Sequence, residues 1–278
     1  MRLPTLAAMS TDLPDADRLA AGRLRLAVDG VLATITLDKP EARNAQTPTT
    51  WRVLAEIGAA LPADVRVVVV RGAGGTFSAG LDRTLLTPGG SGASGGQESV
   101  ADLLTASDEE MSAAIDAYQR GFTWLRDPRF VSVAVVEGHA IGAGFQLALS
   151  CDLVLAADDA RFCMKETALG LVPDLTGTKP LVERVGYPRA LEICATARTV
   201  GAEEAARIGL ALGPVPAAEL DGAVAELVTA LTAALPDAVR ETTALLLGAA
   251  ERDLETQRRL EREAQTRRFR ELAGLMGG

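Results

Sequence analysis

Basic residues are in short supply: 28 Lys and Arg stand against 37 Asp and Glu in 278 residues, a net charge of −9. Phosphate backbones are held by clustered Lys and Arg, so this balance excludes nucleic acid as a main partner. An anionic ligand would need a local basic spot. Cysteine is scarce too. Cys151, Cys163 and Cys194 are widely spaced, match no metal-ligand pattern and make no framework of bridges; no disulfide or metal site is expected, and a reducing compartment fits best. The run Met1 to Leu24 mixes acidic residues with short apolar patches and has no secretory apolar region. No segment has the length of a membrane span, none is a basic amphipathic stretch suited to a membrane surface, and no solenoid-length repeat occurs. A cytoplasmic location without membrane contact is expected.

Apolar residues make up 48% of the chain, ample for a buried core. Residues 1–22, with Pro4, Pro14 and scattered Asp, show no period and are expected to form a disordered leader. Leu24 to Leu37 holds two alternating apolar runs broken at Asp29 and Gly30, a hairpin signal. Thr47 to Leu61 has helical spacing through Trp51, Leu54, Ile57 and Leu61, whereas Val65 to Val70 is a β-branched run of the kind found in buried strands. Val131 to Val136 and Leu153 to Ala156 repeat that strand pattern, with a helix expected over Glu109 to Asp127 and others around Leu181 and Leu191. The alternation predicts an α/β layered core over residues 23–200. Gly89 to Gly96 reads as a mobile Gly/Ser-rich loop. From Gly201 the pattern is almost wholly helical, so 201–278 is expected to be a C-terminal helical region. Pro236 opens one of its helices, and the charged stretch Glu251 to Glu271 reads as a solvated face or a subunit contact.

Two small-residue turns each leave a strand and enter a helical pattern. One runs Ser78, Ala79, Gly80, Leu81, Asp82; the other runs from Gly138 to Gly144. Such turns let backbone amides approach a ligand, and amides at a helix N-terminus favour negative charge. Each turn alone is also ordinary turn chemistry. The two gain meaning from three segments downstream in the chain: Phe145, Gln146, Leu147, Ala148; Cys151, Asp152; and Met164, Lys165, Glu166 through Thr178.

In order and spacing these segments resemble the crotonase, or enoyl-CoA hydratase/isomerase, superfamily from about Leu24 through Leu210. The resemblance implies a crotonase-like spiral of strand-strand-helix repeats with a C-terminal helical region, self-association as a trimer or dimer of trimers, and an acyl-CoA substrate. It implies no bound cofactor, CoA entering as part of the substrate. By position, the family's oxyanion hole falls on the backbone N–H groups of Leu81 and Ala143. Ala79, Gly80 and Gly142 lie around the substrate. Lys39 and Arg43 match the region lining the CoA nucleotide, where they would meet phosphate; exposed-turn charges are the rival reading.

The two glutamates of the family's hydratases match Gln146 and Glu166. A neutral amide orients water or substrate but exchanges no proton at neutral pH, so the two-glutamate mechanism cannot operate unchanged. Asp174, eight residues beyond Glu166, adds a carboxyl where typical hydratases have glycine. In this respect the site resembles the dienoyl-CoA isomerases, although these carry an aspartate where Gln146 stands. The favoured expectation is an enoyl-CoA or dienoyl-CoA isomerase with Glu166 and Asp174 as the proton-moving pair and Gln146 orienting. A 2-enoyl-CoA hydratase using the same two carboxyls and a non-catalytic acyl-CoA-binding subunit are the alternatives. His139, the single histidine, matches no family role, and Asp82, Cys151 and Asp152 read as structural.

Overall fold

The computed structural model describes residues 12–86 and 100–276. Asp15 caps a short helix, α1 (Ala16–Ala21), by accepting from the Arg18 N–H at 2.8 Å. The expectation of disorder up to residue 22 is therefore corrected from residue 16 onward, while residues 1–11 lie outside the described residues. A distant partner explains the order: the Arg18 guanidinium meets both carboxylate oxygens of Glu56, at 2.8 and 2.6 Å.

The hairpin expected around Gly30 forms from β1 (Leu24–Asp29) and β2 (Leu32–Leu37), paired antiparallel. Thr47 then caps α2 (Pro48–Ala60) through a capping box with Thr50, and Pro48 at the first turn costs no helical bond. After β3 (Val67–Gly72), α3 (Asp108–Thr123) opens on a second capping box, Ser107 with Glu110. The chain continues through β4 (Val131–Val136), β5 (His139–Ile141), α4 (Ala143–Ser150), β6 (Leu153–Ala157) and β7 (Arg161–Cys163). Next come α5 (Thr178–Val185), α6 (Tyr187–Thr196), β8 (Val200–Gly201), α7 (Ala202–Arg207), β9 (Leu212–Val215), α8 (Leu220–Ala233), α9 (Pro236–Leu247) and α10 (Leu254–Met276). The expected Gly89 to Gly96 loop lies outside the described residues.

Six strands make one sheet in the order β1-β2-β3-β4-β6-β9, parallel from β2 onward, and β5-β7-β8 make a second. The valine runs are buried on both faces. Val68, Val70, Ala134 and Val136 face the main core with α2, α3 and α4, while Val67, Val69, Val133 and Val135 face Leu220, Val224, Leu227 and Val228 of α8. Two-sided burial is why these strands read as continuous apolar runs. The C-terminal region is less purely helical than expected: β9 adds the last strand of the large sheet. Its Leu-Gly-Pro-Val sequence carries no strand signal, and proline is tolerated there because β9 is an edge.

From β3, β4 and β6 the chain leaves the large sheet, reaches the small sheet and enters a helix or helical turn. β4-β5-α4 shows this in full, and β6-β7 leads into a turn of 3-10 helix at Glu166–Leu169. The pass from β3 touches the small sheet through Ser78, bridged in parallel to Ala140.

Candidate active site

That stacking brings three distant segments to one level. Ser78, Ile141 and Cys163 are neighbours across the small sheet: Ile141 N–H donates to Ser78 O at 3.0 Å, and Gly142 N–H to Cys163 O at 2.9 Å. Leu81, Ala143 and Glu166 each come two or three residues after those positions, so they emerge together. Gly80 permits the approach. It adopts φ +87°, and a Cβ there would lie 2.4 Å from Ile141 O and 3.4 Å from Ala143 N. Only glycine tolerates that combination of dihedral and contact. Gly142, at φ +52°, similarly lies against the Glu166 carboxylate.

Ala143 opens α4, so its N–H has no carbonyl one turn back, and the dipole of the helix adds to it. Among the described residues neither this N–H nor that of Leu81 donates to a protein acceptor. Both line a cavity of about 730 Å³ together with Glu166 and Asp174. The two turns proposed from sequence are thus joined into one site with both carboxyls.

Glu166 is only 8% exposed. Its Oε1 accepts from Gln146 Nε2 at 2.7 Å, whereas its Oε2 is buried without a partner. Burial raises its pKa, helped by the negative charge of Asp174 and opposed by backbone N–H groups and the Gln146 amide. Asp174 is held by its backbone, its carbonyl accepting from Gln119 Nε2 of α3 at 2.7 Å. Burial raises its pKa as well. Gln146 is fully buried. Its carbonyl accepts from the Leu175 N–H at 2.8 Å and the Gly177 N–H at 3.3 Å. Gln146 also lines the cavity; its oxygen is taken by these two N–H groups, so any orienting of water or substrate falls to the second N–H of its amide, while the first ties the Asp174 loop to Glu166.

Ala79, Gly80, Gly142 and Arg43 also line the cavity. Lys39 does not; its ammonium lies 2.8 Å from Asp82, and both groups are largely shielded. Asp82 serves the fold, its other oxygen accepting from the backbone N–H and hydroxyl of Thr84 at 3.1 and 2.8 Å. Asp152 and Cys151 are structural too, with Asp152 accepting from Ser132 and Cys151 fully buried, its thiol pushed up to about 12 by burial. His139 is outside the cavity lining.

Several lining residues escaped sequence reasoning. Arg83 and Lys165, both exposed, join Arg43 as cations there, supplying the local basic spot that an acidic chain needs for an anionic ligand. Met111, Ile115 and Tyr118 form one wall with Trp51; their i, i+4, i+7 spacing is a helical stripe that a sequence alone assigns to core. Leu171 and Val172, 50% and 71% exposed, add apolar side chains to the lining.

The sequence model of the enoyl-CoA hydratase/isomerase family matches residues 28–277. A Thermobifida fusca YX protein solved with acetoacetyl-CoA is 51% identical, with 94% of this chain and 100% of that chain aligned at a TM-score of 0.89. A short-chain-enoyl-CoA hydratase of Clostridium acetobutylicum is 28% identical over 85% of each chain. A peroxisomal Δ(3,5)-Δ(2,4)-dienoyl-CoA isomerase of Arabidopsis thaliana is 32% identical over 69% of this chain and 68% of that one.

Proposed function

The chain belongs to the enoyl-CoA hydratase/isomerase family, and on that premise we propose that it shifts a carbon-carbon double bond within an unsaturated acyl-CoA. The observation that carries this reading is the asymmetric Glu166 carboxylate, with one oxygen tied to Gln146 and the other buried and unpartnered. Oε2 takes a proton from the carbon beside the thioester. The electron pair moves onto the carbonyl oxygen, where the N–H groups of Leu81 and Ala143 stabilise the enolate without reorganising. In its protonated form Asp174, whose pKa burial raises, returns a proton further along the conjugated system. One proton leaves and one arrives, so the product is an isomer. Glu166 and Asp174 then exchange roles or protons with solvent before the next turnover.

The paired carboxyls and the isomerase relative support this assignment. The CoA and acetoacetyl-CoA held by the Thermobifida fusca protein support a CoA thioester as ligand, with Arg43, Arg83 and Lys165 as the cations for its phosphates. No cofactor beyond the CoA of the substrate is called upon. A panel of unsaturated acyl-CoAs monitored by mass and absorbance tests the proposal. Unchanged mass with a shifted ultraviolet spectrum is expected, and Glu166→Gln should cut the rate by about 10²- to 10⁴-fold, the worth of a general base. Near-normal turnover by that variant would sink the assignment. The hydratase names of most relatives favour a second reading, addition of water between Glu166 and Asp174; a product heavier by one water would replace the first.

A further inference from the structure

We infer that Gln46 is a positioning residue that sets the direction of the Leu81 N–H and couples it to the acyl wall at Trp51. This rests on the oxyanion role proposed for Leu81, and on a buried network that the acid/base chemistry does not use. Gln46 is fully buried. Its backbone brackets Leu81: the Gln46 N–H donates to Gly80 O, and Gln46 O accepts from the Asp82 N–H, both at 2.8 Å. Its side chain reaches in two directions, accepting from the Trp51 indole at 2.8 Å and donating to Ser78 Oγ at 3.0 Å.

The directions are forced. An indole only donates, so the Gln46 carbonyl oxygen must face Trp51 and its NH₂ must face Ser78. Ser78 Oγ then spends its own proton on Asn44 O at 2.8 Å and keeps a lone pair for the Gly80 N–H at 3.1 Å. With the Gly80 N–H and the Asp82 N–H both committed, Leu81 carries the one amide between them that is left for a ligand. Trp51 lines the cavity while its nitrogen anchors this chain. Whatever presses on the Trp51 ring is therefore linked through Gln46 and Ser78 to the turn that binds the carbonyl oxygen.

The test uses Gln46→Leu and, because a fully buried polar-to-apolar change can unfold a protein, Trp51→Phe as a second variant that removes the indole donor, along with part of the ring, and leaves Gln46 in place. The probe is acetoacetyl-CoA, whose enolate absorbs in the ultraviolet and whose bound enolate fraction reports oxyanion stabilisation without any turnover. The wild type should hold more enolate than free solution does at the same pH, and both variants should hold less. For Gln46→Leu on a substrate, kcat should fall about 10- to 100-fold, in line with the cost of misplacing a catalytic group by an ångström, while KM changes less than about twofold. A folded Gln46→Leu with unchanged enolate fraction and kcat, even at a lowered melting temperature, would overturn the inference, as would an unaltered enolate fraction in Trp51→Phe or none in the wild type. A failed isomerase panel alongside a lost enolate signal in the variants would instead reject the proposed reaction and keep the role of Gln46.

Discussion

Replacing Gln146 by glutamate swaps the side-chain donor on Glu166 Oε1 for an acceptor with little change of shape. The side-chain carbonyl of Gln146 is held by the N–H groups of Leu175 and Gly177, so a carboxylate there keeps that end satisfied and stays ionised. Its second oxygen would face Glu166 Oε1 at the 2.7 Å now spanned by a hydrogen bond. Two unit charges at that distance repel by about 6 kcal/mol even at an effective dielectric of about 20. The pair must therefore trap one proton, and Glu166 loses its basic form at neutral pH. The expected result is a double-bond shift slowed by about 10²-fold at pH 7, with partial recovery at higher pH as the shared proton leaves. Over the same pH rise the melting temperature should fall further than in the wild type. Linkage sets the sign: a carboxyl whose folded pKa is raised contributes stability at low pH that is lost as pH rises through the folded value. Rate profiles and melting curves over one pH series measure both. A variant with the wild-type rate and profile would refute the argument that the Gln146 amide keeps Glu166 ready to accept a proton.

Asp174→Asn should lower the rate and also move the acid limb of the kcat/KM profile to lower pH, because the Asp174 charge is one of the causes holding the Glu166 pKa up; a limb that stays put would mean the two carboxyls do not interact. Gly80→Ala forces a Cβ to 2.4 Å from Ile141 O at φ +87°. It should cost about 1–3 kcal/mol by denaturant titration and at least 10²-fold in kcat through the displaced oxyanion donor. Arg43→Ala should raise KM for CoA thioesters more than for pantetheine thioesters and leave kcat near wild type. Lys39→Ala should spare KM and lower the melting temperature instead, since its ammonium is spent on Asp82.

The hairpin around Gly30, the valine strands and the helix through Trp51, Leu54 and Ile57 were legible because they rest on local rules of period and turn residue. Glu166, the two oxyanion turns and their order were legible as a resemblance, since motif and spacing survive in sequence. The order of Ala16–Ala21 was not, because it depends on Glu56, a partner 38 residues away. Nor was β9, whose pairing with β6 supplies what its own sequence lacks. The sequence determined that Gln146 is an amide and so cannot exchange a proton. Only the tertiary structure decided what that amide does, because hydrogen-bond direction is a property of the assembled neighbours: two N–H groups of the Asp174 loop claim its oxygen, and Glu166 claims its nitrogen. Lys39 makes the same point for charge. A lysine in a segment that resembles the family's CoA-nucleotide lining reads as a ligand cation until folding sets Asp82 against it.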